Sequence, residues 1–199
     1  MKIAIAQINC TVGDIAGNTL KIVDAVNQAK QSGADLVITP ELALSGYPPV
    51  DLLLRETFCR ACADALAELC KEVSDITLVI GHPSNQDGKL YNTASVIQDG
   101  KITANYYKRI LSQPPFFNEH YYFYPGTNPC HFELHGIKFG LNICADFWLA
   151  NPADSAAHSD IHVLLVLSAS PYRIDKQVLR YQVTHQFVQK TGISVIHTN

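Results

Sequence analysis

The sequence predicts an α/β protein in which a largely parallel sheet is covered by helices, and three observations predict it. Residues 2–39 read as strand, helix, strand, a unit that needs a crossover and so pairs its strands in parallel with right-handed connectivity. Residues 161–167, apolar except for His162, suit a central strand covered on both faces. A chain of 199 residues with 47% hydrophobic and 17% charged content has the size and composition of one packed domain.

The formal net charge of -3 supplies no basic stripe of the kind that binds nucleic acid, and no run of like charges suggests a tail. A small, neutral or mildly charged ligand is expected. The early apolar run, residues 3–8, is broken by Gln7 and is too short for a signal peptide or a membrane span. Six cysteines in such a chain are then expected as reduced thiols in the cytoplasm. There is no internal repeat, low-complexity segment or linker. The last residues read as an apolar strand with no capping helix, so a longer parent chain is expected.

Residues 2–8 alternate as a first strand, and residues 18–32 follow as a helix whose apolar face is Ile22, Val26 and Ala29, stopped by Gly33. Residues 35–39 form the second strand. Pro40 ends it, and Gly46, Pro48 and Pro49 keep the following segment irregular, which leaves Glu41 at the carboxyl end of a parallel strand, where sites collect. Residues 55–73 form a second helix: Cys59, Cys62, Leu66, Leu69 and Val73 recur at helical spacing, so Cys59-Arg60-Ala61-Cys62 is read as an apolar face and not as a redox or zinc motif. Residues 75–80 are a third strand. Residues 90–98 and 101–107 are two strands joined by Asp99-Gly100, a strong hairpin signal, and the second delivers Lys108. A Pro-rich aromatic loop holding Glu119 follows. Residues 130–134 pair with the next strand across His135-Gly136. Beyond residues 161–167 come the Ser168–Tyr172 loop, a helix over residues 175–190 with Val178, Leu179, Gln182, Gln186 and Val188 around it, and a last strand over residues 193–197.

The stretch that organises the chain is Gly136-Ile-Lys-Phe-Gly-Leu-Asn-Ile-Cys-Ala-Asp-Phe-Trp148. Ile137, Phe139, Leu141 and Ile143 alternate with Lys138, Gly140 and Asn142, a strand with one buried face that delivers Cys144 at its tip, much as a nucleophile elbow does. Glu41, Lys108 and Cys144 therefore each follow a strand and are placed to meet in one crevice. Their chemistry forms a set. A thiol needs a base to become a nucleophile, and Glu41 can take its proton and return it to a leaving amine. Lys108, with a backbone N–H after Cys144, can steady an oxyanion. The reaction these residue types imply is acyl transfer from a carbon–nitrogen substrate through a thioester. The His131/His135 and His158/His162 pairs have i, i+4 spacing but lack an acidic third ligand, and are read as solvated or core histidines.

Glu41 in Pro-Glu-Leu-Ala-Leu-Ser-Gly-Tyr-Pro-Pro, Lys108 in Tyr-Tyr-Lys-Arg-Ile-Leu and Cys144 in Asn-Ile-Cys-Ala-Asp-Phe-Trp resemble the Glu-Lys-Cys triad of the nitrilase, or carbon-nitrogen hydrolase, superfamily. Within it, Ser-Gly-Tyr-Pro-Pro with Asp51-Leu52-Leu53, and Ser168-Ala169-Ser170-Pro171-Tyr172, resemble the glutaminase domains of glutamine-dependent NAD synthetases. The similarity runs through residues 1–199 in order. It implies a four-layer αββα sandwich, incomplete at its C-terminus. It also implies that Cys144 forms a γ-glutamyl thioester with glutamine, with Glu41 as base, Lys108 at the oxyanion and Glu119 as a second glutamate near the triad. Tyr47, Ser170 and Lys176 match positions that hold glutamine. The ammonia released would serve an absent synthetase domain that amidates deamido-NAD using ATP and Mg2+. No metal or cofactor is expected in these residues themselves, and pairing of like subunits is.

Two departures from the family pattern bear on activity. Ala145 stands where a glutamate usually follows the cysteine, and Ser112-Gln113-Pro114-Pro115 replaces a segment carrying a glutamine-binding tyrosine. A stand-alone amidase or nitrilase, and an inactive binding module, are the alternative expectations.

Overall fold

The computed structural model of the chain describes residues 1–113, 117–149 and 160–199; Pro114 and His158 lie outside them. The described elements are β1 (Ile3–Ile5), α1 (Ile15–Gln31), β2 (Leu36–Ile38), α2 (Glu56–Glu72), β3 (Thr77–Gln86), β4 (Lys89–Gln98), β5 (Lys101–Tyr107), β6 (His131–Leu134), β7 (Ile137–Ile143), α3 (Ala145–Leu149), β8 (Val163–Leu167), α4 (Lys176–Thr191) and β9 (Ser194–Thr198), with short 3-10 turns at Val50–Leu54 and Glu119–Tyr121. They form two sheets, ordered β1-β2-β3-β4-β5 and β6-β7-β8-β9.

Period-two alternation explains how the sheets stack. Leu36, Ile38, Val79, Ala94, Val96 and Tyr106 of the first sheet meet Phe132, Phe139, Leu141, Ile143, Leu165 and Leu167 of the second in one buried cluster. The opposite face of the first sheet, through Val37, Leu78, Ile80 and Ile97, packs on Ile22, Val26 and Ala29 of α1 and on Cys62, Leu66 and Leu69 of α2. Leu164 and Val166, on the outer face of β8, pack with Phe147, Ile193 and, from α4, Val183 and Phe187. The order is helices, sheet, sheet, helices: the αββα sandwich. Cys62 packs within the α2 face, as the helical reading of the CxxC spacing requires.

Two local features differ from expectation. The third strand runs on to Gln86 and turns at Asp87-Gly88 into β4. Pro83 does not stop it, because β2 pairs with β3 only as far as Val79, so β3 has β4 alone beside Pro83. α4 turns only Val183 and Phe187 toward the sandwich, while Val178 and Leu179 are exposed. Its residues do not form an all-round buried face, although Gly192 at φ 71° ends it in the left-handed conformation open to glycine. His135 and His162 are exposed, as the reading of them as solvated allows: His135 Nε2 lies 3.4 Å from Asp35, and His162 Nδ1 accepts the Lys138 N–H at 3.0 Å.

The topology brings several chain ends to one edge. β1, β2 and β3 are parallel, and two antiparallel steps return β5 to the direction of β3. β7 and β8 are parallel in the second sheet. The two sheets are joined at this edge where Glu41 N donates to Ser168 O at 3.2 Å. The segments after β2, β5, β7 and β8 therefore open into one crevice. Buried Asn18 of α1 ties the first of them down, pairing with both Thr11 N and Thr11 O at 2.8 Å and reaching Leu44 O at 3.2 Å. β3 presses on the same loop from the other side. A Cβ on Gly81 would sit 2.5 Å from Pro40 O and 2.6 Å from Leu42 N, so this strand position requires glycine.

Candidate active site

Glu41, Lys108 and Glu119 are fully buried together in this crevice. Lys108 Nζ lies 2.6 Å from Glu41 Oε1 and 2.6 Å from Glu119 Oε2, with Ser112 Oγ at 3.4 Å. Glu119 Oε2 also accepts the Ser112 N–H at 2.7 Å. One cation thus faces two carboxylates. Ala169 N–H donates to Glu41 Oε2 at 3.0 Å and also lies against the Cys144 sulfur. Glu41 and Cys144 meet there.

Cys144 sits at the turn from β7 into α3 with φ 42°, a left-handed conformation that costs a non-glycine residue strain and throws its side chain out of the sheet. Its N–H is held by Leu167 O at 2.8 Å, and Sγ is 3.5 Å from Ser170 Oγ. Directly beyond it, Asp146 gathers four donors: the Arg109 and Ile110 N–H groups on Oδ1 at 3.0 and 2.6 Å, and the Tyr106 hydroxyl and Ile143 N–H on Oδ2 at 2.8 and 3.1 Å. This carboxylate fastens the segment carrying Lys108 to the segment carrying Cys144.

Electrostatics follow from burial. Desolvation, then the Glu41 charge, pushes the Cys144 thiol up to about 11, against the lowering influence of Lys108, the Ser170 hydroxyl and the Ala169 N–H. At neutral pH the resting sulfur is a thiol and needs a base. Burial likewise raises the Glu41 carboxyl above the usual carboxylate range, which Lys108 opposes and Glu119 reinforces. Burial works against the Lys108 charge, but the Glu41 and Glu119 charges together outweigh it and hold the ammonium above its ordinary range. The Tyr47 hydroxyl is raised by burial and then by the charges of Glu41 and Glu119, so it shares this field.

The site residues expected from sequence are therefore largely brought together. Glu41, Lys108 and Glu119 touch, Cys144 meets Glu41 across Ala169, Ser170 adjoins the sulfur, and Tyr47 packs edge-on against Phe117 at 5.5 Å. Lys176 opens α4 and sets its Nζ 4.3 Å from the Trp148 ring centroid, four residues past the cysteine. Ala145 is buried at the start of α3. Two residues escaped the sequence reading. Asp146 stands in the quoted motif with no role of its own. Asn92 donates from Nδ2 to Glu41 Oε1 at 2.9 Å and to Glu119 Oε1 at 2.8 Å; its signal is a polar residue on the β4 face that otherwise carries Ala94 and Val96.

Comparison with known proteins agrees with this fold. The chain is 37% identical to a glutamine-dependent NAD(+) synthetase of Acinetobacter baylyi over 199 residues, all of this chain but 37% of that protein. A solved glutamine-dependent NAD+ synthetase from Acinetobacter baumannii, in complex with ADP, superposes with TM-score 0.93 at 36% identity, covering 98% of this chain and 38% of that one. An amidase from Nesterenkonia sp. AN1, a variant with acrylamide added to its active site cysteine, matches with TM-score 0.86 at 25% identity over 100% of this chain and 78% of that one. The chain thus spans less than two fifths of the synthetases it matches. The carbon-nitrogen hydrolase family model matches residues 2–191, and the chain belongs to that family.

Proposed function

We propose that this chain is the glutamine amidohydrolase part of a glutamine-dependent NAD synthetase, a cytoplasmic enzyme, and that residues 1–199 belong to its ammonia-releasing domain, whose C-terminal part lies outside them. The observation that carries the reading is the meeting of Glu41, Lys108 and Glu119 beside Cys144 at one sheet edge. Glu41 Oε1 already accepts from Lys108 and Asn92, whereas Oε2 accepts only from Ala169 among the hydrogen bonds described. Oε2 is then the oxygen that takes the Cys144 proton as Sγ attacks the γ-carboxamide carbon of glutamine. The carbonyl electron pair moves to oxygen, where the Ala145 N–H meets it together with the Lys108 N–H that turns from its long 3.4 Å contact with Ser112 Oγ. The carbon–nitrogen bond breaks, Glu41 passes its proton to the departing nitrogen, and ammonia leaves a γ-glutamyl thioester. Water, deprotonated by Glu41, repeats the sequence and frees glutamate and the thiol.

In this reading Tyr47 and Ser170 hydrogen-bond the amide or ammonium end of glutamine, and the Lys176 charge meets its carboxylate. No group of three or more His, Cys, Asp or Glu placed to hold a metal ion occurs among the described residues. ATP, Mg2+ and deamido-NAD belong, in this proposal, to a synthetase domain outside these residues, and no step above passes through them.

The amidase match, which covers 78% of that protein, supports a second reading as a stand-alone amidase. Ammonia release measured on glutamine and on a panel of small amides and nitriles separates the two. Preference for glutamine supports the synthetase reading, and hydrolysis of small amides without that preference replaces it with the second.

A further inference from the structure

We propose that Asn92 is the positioning residue of this site: one residue of β4 fixes Glu41, Glu119 and Lys108 and leaves Glu41 a single oxygen open toward Cys144. The proposal rests on the roles given above to Glu41 and Cys144, but not on glutamine being the substrate.

Three of the four charged or reacting groups are tied to Asn92. Its main-chain oxygen accepts the Lys108 N–H at 2.8 Å, which sets where that side chain begins. Its Nδ2 donates to Glu41 Oε1 at 2.9 Å and to Glu119 Oε1 at 2.8 Å. The amide orientation is fixed by its neighbours, since turning it over would set Oδ1 against two carboxylates. Asn92 is fully buried and its Oδ1 has no hydrogen-bond partner among the described residues. Burying an unsatisfied carbonyl is unfavourable, and an apolar residue would fit the Ala94 and Val96 face without that cost. What an apolar residue lacks is the pair of donors.

Those donors have a chemical consequence. Lys108 alone leaves the buried set of two carboxylates with one net negative charge, and a second cation there would neutralise the base. A neutral amide satisfies both carboxylates while Glu41 stays able to accept a proton. It also occupies Oε1, so that the remaining acceptor capacity lies on Oε2, beside the Ala169 N–H and the sulfur. The titratable groups that bear on Glu41 are Lys108 after β5, Glu119 in the 3-10 turn, Tyr47 in its own loop and Cys144 after β7. Asn92 donates to the charged form of Glu41 and so lowers its pKa against burial.

The test uses the full chain with Asn92→Leu, which keeps the size and removes both donors, and Asn92→Asp, which keeps the shape and adds a third carboxylate. Turnover of whichever amide the wild type hydrolyses fastest, the rate of Cys144 alkylation by iodoacetamide across pH, and the thermal midpoint are measured. Turnover of the Leu variant falls about 10²-fold per folded molecule, the loss expected for a displaced catalytic group. The acid limb of its pH profile also moves to higher pH, and the Asp variant shifts further in the same direction. If the Leu variant does not fold, the Asp variant carries the test. Turnover within a few-fold of wild type with an unmoved acid limb, whatever happens to the thermal midpoint, overturns the proposal and makes Asn92 a packing residue. A wild type that hydrolyses no amide sinks the functional reading instead. The alkylation profile then decides for Asn92: its Glu41-dependent inflection rises in the variants if the proposal holds and stays put if it fails.

Discussion

Glu41→Gln separates the two duties assigned to this carboxylate. The substitution keeps the length of the side chain, so its amide oxygen can still accept from Lys108 and Asn92, while its amide nitrogen is set against the Ala169 N–H. What vanishes is the proton carrier. Loss of a positioned general acid and base lowers turnover by about 10²–10⁴, which corresponds to roughly 3–5 kcal/mol of barrier. The thiol responds in the opposite sense. The Glu41 charge is, after burial, the largest influence raising Cys144 to about 11, so removing it while Lys108 remains brings the thiol pKa down and increases the small thiolate fraction at neutral pH. Alkylation by iodoacetamide, which needs no proton for a leaving amine, is therefore retained or accelerated while ammonia release collapses. The assay is a pair of rates on one folded preparation: ammonia release from the preferred amide, and mass-detected alkylation of Cys144. Ammonia release within tenfold of wild type refutes the reasoning. Equal loss of both rates in a folded variant reassigns Glu41 from proton transfer to holding the site together.

Asp146→Ala leaves four donors around one buried point without an acceptor, and is expected to lower unfolding stability by about 3–5 kcal/mol in denaturant titration; a change below about 1 kcal/mol contradicts its role as a fastening. His82 is buried with its ring between Pro83 O and Ser95 Oγ, and burial lowers it from its ordinary 6.5 to about 4. Because the unfolded chain takes up this proton first, stability is full above 6.5 and falls as pH drops toward 4, by up to about 3 kcal/mol from this residue. The thermal midpoint of His82→Gln is expected to be flatter across that interval than wild type, and an identical slope removes His82 from the account. Tyr172, Ile174, Val178 and Tyr181 are all exposed around the start of α4, which predicts self-association by light scattering that Val178→Glu weakens; a monodisperse wild-type monomer contradicts it.

The parts of the fold legible in the sequence are those set by local periodicity. Ile22, Val26 and Ala29 mark the buried face of α1, and the alternation of Phe139, Leu141 and Ile143 marks the inner face of β7. The convergence of Glu41, Lys108 and Cys144 was legible for a related reason: each stands just past the end of a strand. β3 was cut short because Pro83 is a breaker in a paired strand, and only the pairing pattern shows that one flank there is open. The exposed side of α4 was illegible because its Val and Leu residues fit a helical face whether or not anything covers them. The side chains of Asn92 and Asp146 act through partners 27 to 51 and 36 to 40 residues away, apart from the nearby Ile143, so no local pattern announces them. Lys176 came from resemblance alone, and its place against Trp148 is a contact that spacing does not predict.

The central claim is that Cys144 is an assembled nucleophile in a site shaped for glutamine. It is tested most directly by intact mass after incubation with a glutamine-like γ-chloroketone, with Cys144→Ala alongside. The account predicts one adduct, absent in the Ala variant and suppressed by added glutamine. No adduct on a chain shown to be folded, or an adduct that survives Cys144→Ala, contradicts it.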